Sequence, residues 1–343
     1  MTLTNVYVGN ADSQDISVLA LGADGALTAI ETVAVPGPET PGGSLPLAVT
    51  AEGQRLYAGL RNEPFSAVAF AIAPATGRLS VLGSGPLADS MAYISVDRTG
   101  RHLFGASYGG GRIAVNPIGP DGVPGDIGQV LPTEPKAHAI RLDPTNRFVL
   151  ATSLGGNAIH QYRFDAATGL LAPNDPPLRR VAPAGGGPRH FVFSPDARFV
   201  YLLNELDGTV HVLPWDSAAG TLGDELQSLS AMPPGSDAKP WGADIHVTPD
   251  GRFLYASERT TSTLAAFRVD TASGRLTGLG SFPTEAQPRA FAIAPSGEYL
   301  LSVGELSNAL TVHAISPSTG ALTALGSTPV GRKPNWVEIV TLT

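Results

Sequence analysis

The sequence predicts an all-β chain folded as a seven-bladed β-propeller of four-stranded blades, its ring closed by N- and C-terminal strands sharing one blade. Three observations predict it. Reversal turns of one type recur about every 48 residues. Each turn is followed by short runs of β-forming residues. Forty glycines and 30 prolines are spread along 343 residues, the composition of a chain with many turns.

The turns are Thr50-Ala51-Glu52-Gly53, Asp97-Arg98-Thr99-Gly100, Asp143-Pro144-Thr145-Asn146, Ser194-Pro195-Asp196-Ala197, Thr248-Pro249-Asp250-Gly251 and Ala294-Pro295-Ser296-Gly297. Their first residues are 47, 46, 51, 54 and 46 positions apart. A second strand follows each, as in Phe199-Val200-Tyr201-Leu202 or Phe253-Leu254-Tyr255-Ala256. A third comes next, as in Leu264-Ala265-Ala266-Phe267-Arg268-Val269, then a Gly-containing turn such as Asp270-Thr271-Ala272-Ser273-Gly274 and a fourth strand. Before the first turn, Asn5-Val6-Tyr7-Val8-Gly9 matches a second strand, Ile16-Ser17-Val18-Leu19-Ala20 a third, and residues 24–31 the closing turn and fourth. The first strand of that blade is supplied by Trp336-Val337-Glu338-Ile339-Val340, which closes the ring and removes an open edge. Residues 1–343 are thus expected to be one propeller domain, with the extra residues around 174–188 and 226–241 read as longer loops.

Composition narrows the function. A hydrophobic fraction of 43% with 15% charged residues describes a well-buried globular chain. A net charge of −8 and no basic run argue against nucleic acid as a partner. No apolar window approaches the roughly 18 residues of a membrane span, and no secretory signal is visible. The absence of cysteine excludes disulfides and thiolate chemistry and fits a cytoplasmic location. A monomer without cofactor is expected.

In a propeller the first strand of each blade lines the central channel, so equivalent positions form rings. Five residues before each reversal turn lie Leu45, Ala92, His138, Arg189, Ala243 and Arg289, with Asn335 from the last strand. Eleven residues after each turn begins lie Arg61, Tyr108, Leu154, Glu205, Arg259 and Glu305, with Ala11 from the first blade. A structural core would be apolar here, yet four arginines, two glutamates, a histidine and a tyrosine fall on these registers. That convergence of charge at repeat-equivalent positions is the strongest functional signal in the sequence. The bland alternative for each residue is an ion pair between blades, and Glu205 beside Asn204 could do no more than neutralise Arg189.

Other candidates carry less. His190 is expected on the opposite side of its strand from Arg189, as a packed core histidine. Asp244 and His246 share a face but show no third ligand for a metal. His102, His160, His211 and His313 look like ordinary strand positions. Gly109-Gly110-Gly111 and Gly185-Gly186-Gly187 open no helix and lack the Lys-Ser/Thr of a phosphate loop. No Gly-X-Ser-X-Gly elbow is present.

Longer motifs carry a resemblance. Gly187-Pro188-Arg189-His190 followed by Asn204-Glu205-Leu206, Trp241-Gly242-Ala243-Asp244-Ile245-His246-Val247-Thr248-Pro249-Asp250-Gly251, Glu258-Arg259-Thr260 and Pro283-Thr284-Glu285-Ala286-Gln287-Pro288-Arg289 resemble the seven-bladed propeller lactonases. That family is typified by bacterial 6-phosphogluconolactonases and includes fungal carboxy-muconate cyclases. The resemblance runs from about residue 5 to 338. It departs at Glu258, where the bacterial enzymes more often have Asp.

The resemblance implies a metal-independent lactonase with His138, Glu205, Arg189 and Arg259 as catalytic residues. Arg61, Arg289, Tyr108, Asn204 and Glu305 are read as substrate-binding. The partner it implies is a small anionic sugar lactone, the leading candidate being 6-phosphogluconolactone of the pentose phosphate pathway. His138 or Glu205 would be the general base, and Arg189 or Arg259 the stabiliser of the oxyanion. Alanine at His138 or Glu205 is expected to cut turnover and leave the fold intact. The Pro- and Gly-rich loops at 34–44 and 119–126 are placed at the channel mouth, where they bear on substrate identity. The rivals are a lactonase or cycloisomerase for a carboxylated or unphosphorylated lactone or muconate, and a non-catalytic propeller that binds peptides.

Overall fold

The structure, a computed structural model, describes residues 3–40, 42–181 and 183–342. Pro41 and Ala182, within the predicted loops at 34–44 and 174–188, lie outside the described residues. The fold is a seven-bladed β-propeller, seven antiparallel sheets set around a common axis. Blade 1 runs outward through Leu47–Val49, Arg55–Leu60, Ser66–Ile72 and Leu79–Pro86. The inner strands of blades 2 to 6 are Met91–Val96, Ala137–Leu142, Pro188–Phe193, Gly242–Val247 and Pro288–Ile293. Blade 7 is the composite one. Its inner strand, Pro334–Leu342, pairs with Leu3–Asn10, which leads through Asp15–Leu21 to Leu27–Ala34.

The inner strands contact one another in sequence around the ring, with Pro334–Leu342 touching both Pro288–Ile293 and Leu47–Val49. The apolar core lies between blades. Seven clusters of buried side chains occupy the seven blade interfaces; Val192, Tyr201 and Leu203 of blade 4, for example, pack on Ile245, Leu254 and Phe267 of blade 5. Second strands are therefore apolar on both faces, as Phe199–Asn204 is buried throughout. Outer strands bury one face at most, as Leu322–Pro329 does.

The recurrent turn has a local cause. In every turn but the one opening on Ala294 the first residue carries a side-chain oxygen that accepts backbone N–H beyond the turn: Asp97 Oδ1 from Arg101 and His102, Asp143 Oδ1 from Arg147 and Phe148, Ser194 Oγ from Arg198 and Phe199, and likewise Thr50 and Thr248. The fourth residue is left-handed in all six turns, with φ from 55° at Ala197 to 77° at Gly297. Alanine is the costly occupant, because its Cβ crowds the carbonyl oxygen there. Ala197→Gly is expected to stabilise the protein by about 0.5–1 kcal/mol, the strain relieved less the added chain entropy. A thermal midpoint raised by about 1–2 °C would report it.

Two loop expectations are corrected. Residues 174–180 are not loop but the end of the outer strand Leu170–Arg180, which shifts register midway to carry its prolines at a sheet edge. The 119–126 loop is not at the site described below. It packs on blade 1, where Gly122 O accepts the Tyr57 hydroxyl and Pro124 abuts Gly85. The 226–241 stretch forms a short outer strand, Gln227–Ser230, followed by loop.

Candidate active site

Six of the seven inner strands carry an irregularity at the same place. Pairing skips between Met91 and Tyr93, Ala137 and Ile140, Pro188 and His190, Gly242 and Ile245, and Pro288 and Ala290, and again opposite Gly9 and Asn10 in blade 7. The positions left unpaired include Ala92, His138, Arg189, Ala243, Arg289 and Asn335, which are the inner ring counted from the turns. A bulge frees a residue from the ladder and re-aims its side chain. Just before it, Lys136, Gly187, Gln287 and Lys333 take left-handed φ of 54–75°. The carbonyls of these residues accept the backbone N–H of Leu154, Glu205, Glu305 and Ala11. That bond sets the second ring against the first within these four blades.

Four predicted catalytic residues meet around one carboxylate oxygen. Arg189 Nε donates to Glu205 Oε2 at 2.8 Å, Arg259 Nη2 lies 3.1 Å from the same oxygen and His138 Nε2 lies 4.0 Å from it. Arg189 is 1% exposed and also donates through Nη1 to the Ala243 carbonyl. Arg259 donates to the carbonyls of Trp241 and Gly242 and stacks on the Trp241 ring at 3.9 Å. Glu258 fixes this loop: its carboxylate accepts the backbone N–H of Trp241 and Thr261 and the Thr261 hydroxyl. The departure at Glu258 is thus a tie beneath Arg259.

Burial pushes the Glu205 carboxyl up, but Arg189 and Arg259 outweigh it and hold it below the usual range. Arg259 itself is lowered to about 9, by burial and then by Arg189, which still leaves it charged at neutral pH. His138 is pushed well below the usual imidazole value by burial, then by Arg189, His190, Arg289 and Arg259. Its imidazole is therefore neutral at physiological pH.

The remaining predicted residues divide. Tyr108 meets His138 edge to face at 5.8 Å. Arg289 Nη1 lies 3.2 Å from Glu305 Oε1, and Gln287 Nε2 donates to the other oxygen of Glu305 at 2.7 Å. Arg61 donates to the hydroxyls of Ser44 and Ser90, so the 34–44 loop does reach the site. Burial and then Arg289 lower Arg61 to about 10, so these two cations are neighbours. Asn204 is the exception. Its side chain is fully buried inside blade 4, on Thr209 and His211, and takes no part in the cluster. Adjacent strand residues point to opposite faces, so Glu205 turns to the axis and Asn204 away.

Below the cluster the channel continues. His190 is not in an apolar core. The bulge at Arg189 turns both residues to the axis, and His190 Nδ1 lies 2.8 Å from Asp244 Oδ1 with its ring 5.1 Å from that of His138. His246 Nε2 lies 3.1 Å from Asp244 Oδ2. Among the described residues no group of three or more His, Asp or Glu is arranged for a metal ion. A cavity of about 260 Å³ borders Arg141, His190, Asp244, His246, Trp336 and Glu338. It adjoins one of about 510 Å³ that opens toward the reversal turns at Asp97, Asp143 and Ser194.

Glu338 accepts Trp336 Nε1–H at 2.9 Å and is pushed up to about 7 by burial. The unfolded chain ionises this carboxyl near its usual 4.5, so its contribution to stability is complete below that pH and lost as pH rises toward 7. Glu338→Gln keeps the indole bond and cannot ionise. Its stability gain over the wild type is expected to appear between pH 5 and 7, reach on the order of 3 kcal/mol and stay constant above. Thermal unfolding of both proteins at pH 5 and pH 8 checks it.

A family model described as Lactonase, 7-bladed beta-propeller, matches residues 5–339. The 6-phosphogluconolactonase of Pectobacterium carotovorum is 42% identical over 288 residues, 84% of each chain. That of Serratia proteamaculans is 40% identical over 290 residues, again 84% of each. Among solved structures, the periplasmic gluconolactonase of Pseudomonas aeruginosa superposes with a TM-score of 0.90 at 29% identity, over 99% of this chain and 100% of that one.

Proposed function

The chain belongs to the seven-bladed β-propeller lactonase family, and from that premise we propose that it hydrolyses 6-phospho-D-glucono-1,5-lactone to 6-phosphogluconate. The reaction is the lactone step of the pentose phosphate pathway, run in the cytoplasm, without a metal, by one chain that carries the whole site. One observation carries the choice of a phosphorylated substrate. Among the described residues Arg61, Arg189, Arg259 and Arg289 form close ion pairs only with Glu205 and Glu305, while Asp89, paired with Arg112, and Asp244, bonded to His190, act on Arg61 and Arg189 from further off, so the mouth favours an added anion. A phosphate monoester brings about −1.5 to −2 at neutral pH.

Arg61 and Arg289 are the phosphate clamp. Among the described residues Arg61 bonds only to serine hydroxyls, and its planar fork suits two phosphate oxygens. His138 accepts the proton of the attacking water as the water oxygen bonds the lactone carbonyl carbon. Arg189 and Arg259 have N–H groups beyond those bound to Glu205 and to backbone, and these stabilise the oxyanion. Glu205, held ionised by both, is a weak base and a good anchor. It holds the Arg189 and Arg259 guanidiniums together at the point where charge develops.

A second reading has its own support: the periplasmic neighbour from Pseudomonas is named a gluconolactonase, with no phosphate in its name. The test is hydrolysis by EDTA-treated protein of 6-phosphogluconolactone and plain gluconolactone, corrected for spontaneous opening. A large preference for the phosphorylated lactone is expected. Activity on the plain lactone alone would overturn the clamp and favour the second reading.

A further inference from the structure

The proposed reaction does not use the most unusual pair in the channel. Asp244 and His190 have the geometry of a base and its orienting carboxylate. Asp244 Oδ1 lies 2.8 Å from Nδ1 of His190, which fixes the proton on that nitrogen and leaves Nε2 as the lone-pair side. His190 is 5% exposed, and its Nε2 has no hydrogen-bond partner among the described residues. The ring facing it at 5.1 Å is His138, 4% exposed, whose Nδ1 is likewise buried without a partner. Buried polar atoms are almost always satisfied, so two orphan nitrogens on facing imidazoles are costly unless they are used.

We propose that His190 and Asp244 form the second half of a proton relay whose first half is His138. The inference rests on the lactonase reading above. The attacking water gives its proton to His138 Nε2, and the proton on His138 Nδ1 passes to His190 Nε2, directly or across one water. Asp244 stays ionised and balances the imidazolium. When the tetrahedral intermediate collapses, the bond from the carbonyl carbon to the ring oxygen breaks and the stored proton returns through His138 to that oxygen. The product hydroxy acid then ionises and releases one proton. His190 is a positioning residue here, since it acts only through His138.

Electrostatics explains why a second imidazole is useful. A proton left on His138 sits among Arg189, Arg259 and Arg289, each of which opposes it. On His190 burial and then Arg189 oppose it too, holding that imidazole down to about 3, but there the bond and the charge of Asp244 work in its favour. Tyr93 and Trp336 complete the surroundings of His190, with ring centroids at 5.1 and 6.1 Å, and neither carries charge. The far side of His190 borders the cavity that opens at the opposite end of the channel, so protons reach solvent when a substrate fills the mouth.

The test compares His190→Phe, which keeps an aromatic ring against Tyr93 and Trp336, with His190→Ala and Asp244→Asn. His190→Phe is expected to lower kcat about 100-fold with KM within threefold of the wild type. His190→Ala should regain kcat as imidazole is added, and Asp244→Asn should lower kcat without rescue. In mixed H2O and D2O the wild-type kcat should follow a bowed line, from two protons in motion, and His190→Phe a straight one. An active wild type with His190→Phe within threefold in kcat overturns the relay alone. Loss in His190→Phe without imidazole rescue in His190→Ala, and with an unchanged isotope line, overturns it too, since packing alone would give that. A wild type inactive on both lactones overturns the lactone reading and the relay with it.

Discussion

Replacing His138 with alanine is expected to lower kcat on the phosphorylated lactone by about 10²–10⁴, with a much smaller change in KM. The side chain is 4% exposed and takes no part in holding the arginines, so substrate binding should survive its removal. Burial and three guanidiniums keep His138 neutral well below the ordinary imidazole range. The acid limb of the pH–kcat profile should therefore lie below that range and disappear in the variant. Equal kcat in variant and wild type would remove His138 from the mechanism. Glu205 needs a different substitution. Its carboxylate is the charge partner of Arg189, which is 1% exposed, and alanine there would strand a buried cation at a cost of about 3–5 kcal/mol. The expectation that alanine leaves the fold intact thus suits His138 and not Glu205. Glutamine keeps an acceptor oxygen in place, and its kcat loss can be read without unfolding.

The parts of this molecule legible in the sequence are those fixed by local chemistry. A turn that has a side-chain oxygen at its first position in five cases of six and a left-handed residue at its fourth in all six can be written in few ways. Asp143 with Asn146, or Thr248 with Gly251, therefore stand out and set the register of every strand after them. Counting from those turns finds His138, Arg189, Glu205, Arg259 and Arg289, because the bulges fall at a constant distance from the turns. The bulges themselves have no residue signature. Strict alternation sends His190 to the side opposite Arg189, and one unpaired residue brings it back to the axis beside Asp244. Asn204 misleads for the complementary reason: it adjoins Glu205 in sequence, and an unbroken strand turns it to the blade interior. Trp241 is legible as a motif residue, yet nothing local says that Arg259 lies across its ring.

The charge balance of the mouth gives the remaining large effect. Arg61→Met should lower kcat/KM for 6-phosphogluconolactone by about 30- to 1000-fold, the consequence of removing one partner from a desolvated charge pair. It should leave kcat/KM for plain gluconolactone within about threefold. Arg61 forms no hydrogen bond or ion pair with the groups around Glu205, and its only hydrogen bonds among the described residues are to the hydroxyls of Ser44 and Ser90. Arg289 is the harder test of the same idea. It is tied to Glu305, so its removal also frees that carboxylate to repel the incoming phosphate, and the loss should exceed that of Arg61→Met. Added inorganic phosphate should inhibit the wild type in competition with the phosphorylated lactone, and inhibit Arg61→Met less. If both variants instead lose activity on the two lactones alike, the arginines act on the lactone ring itself, and their charge serves the oxyanion rather than a phosphate.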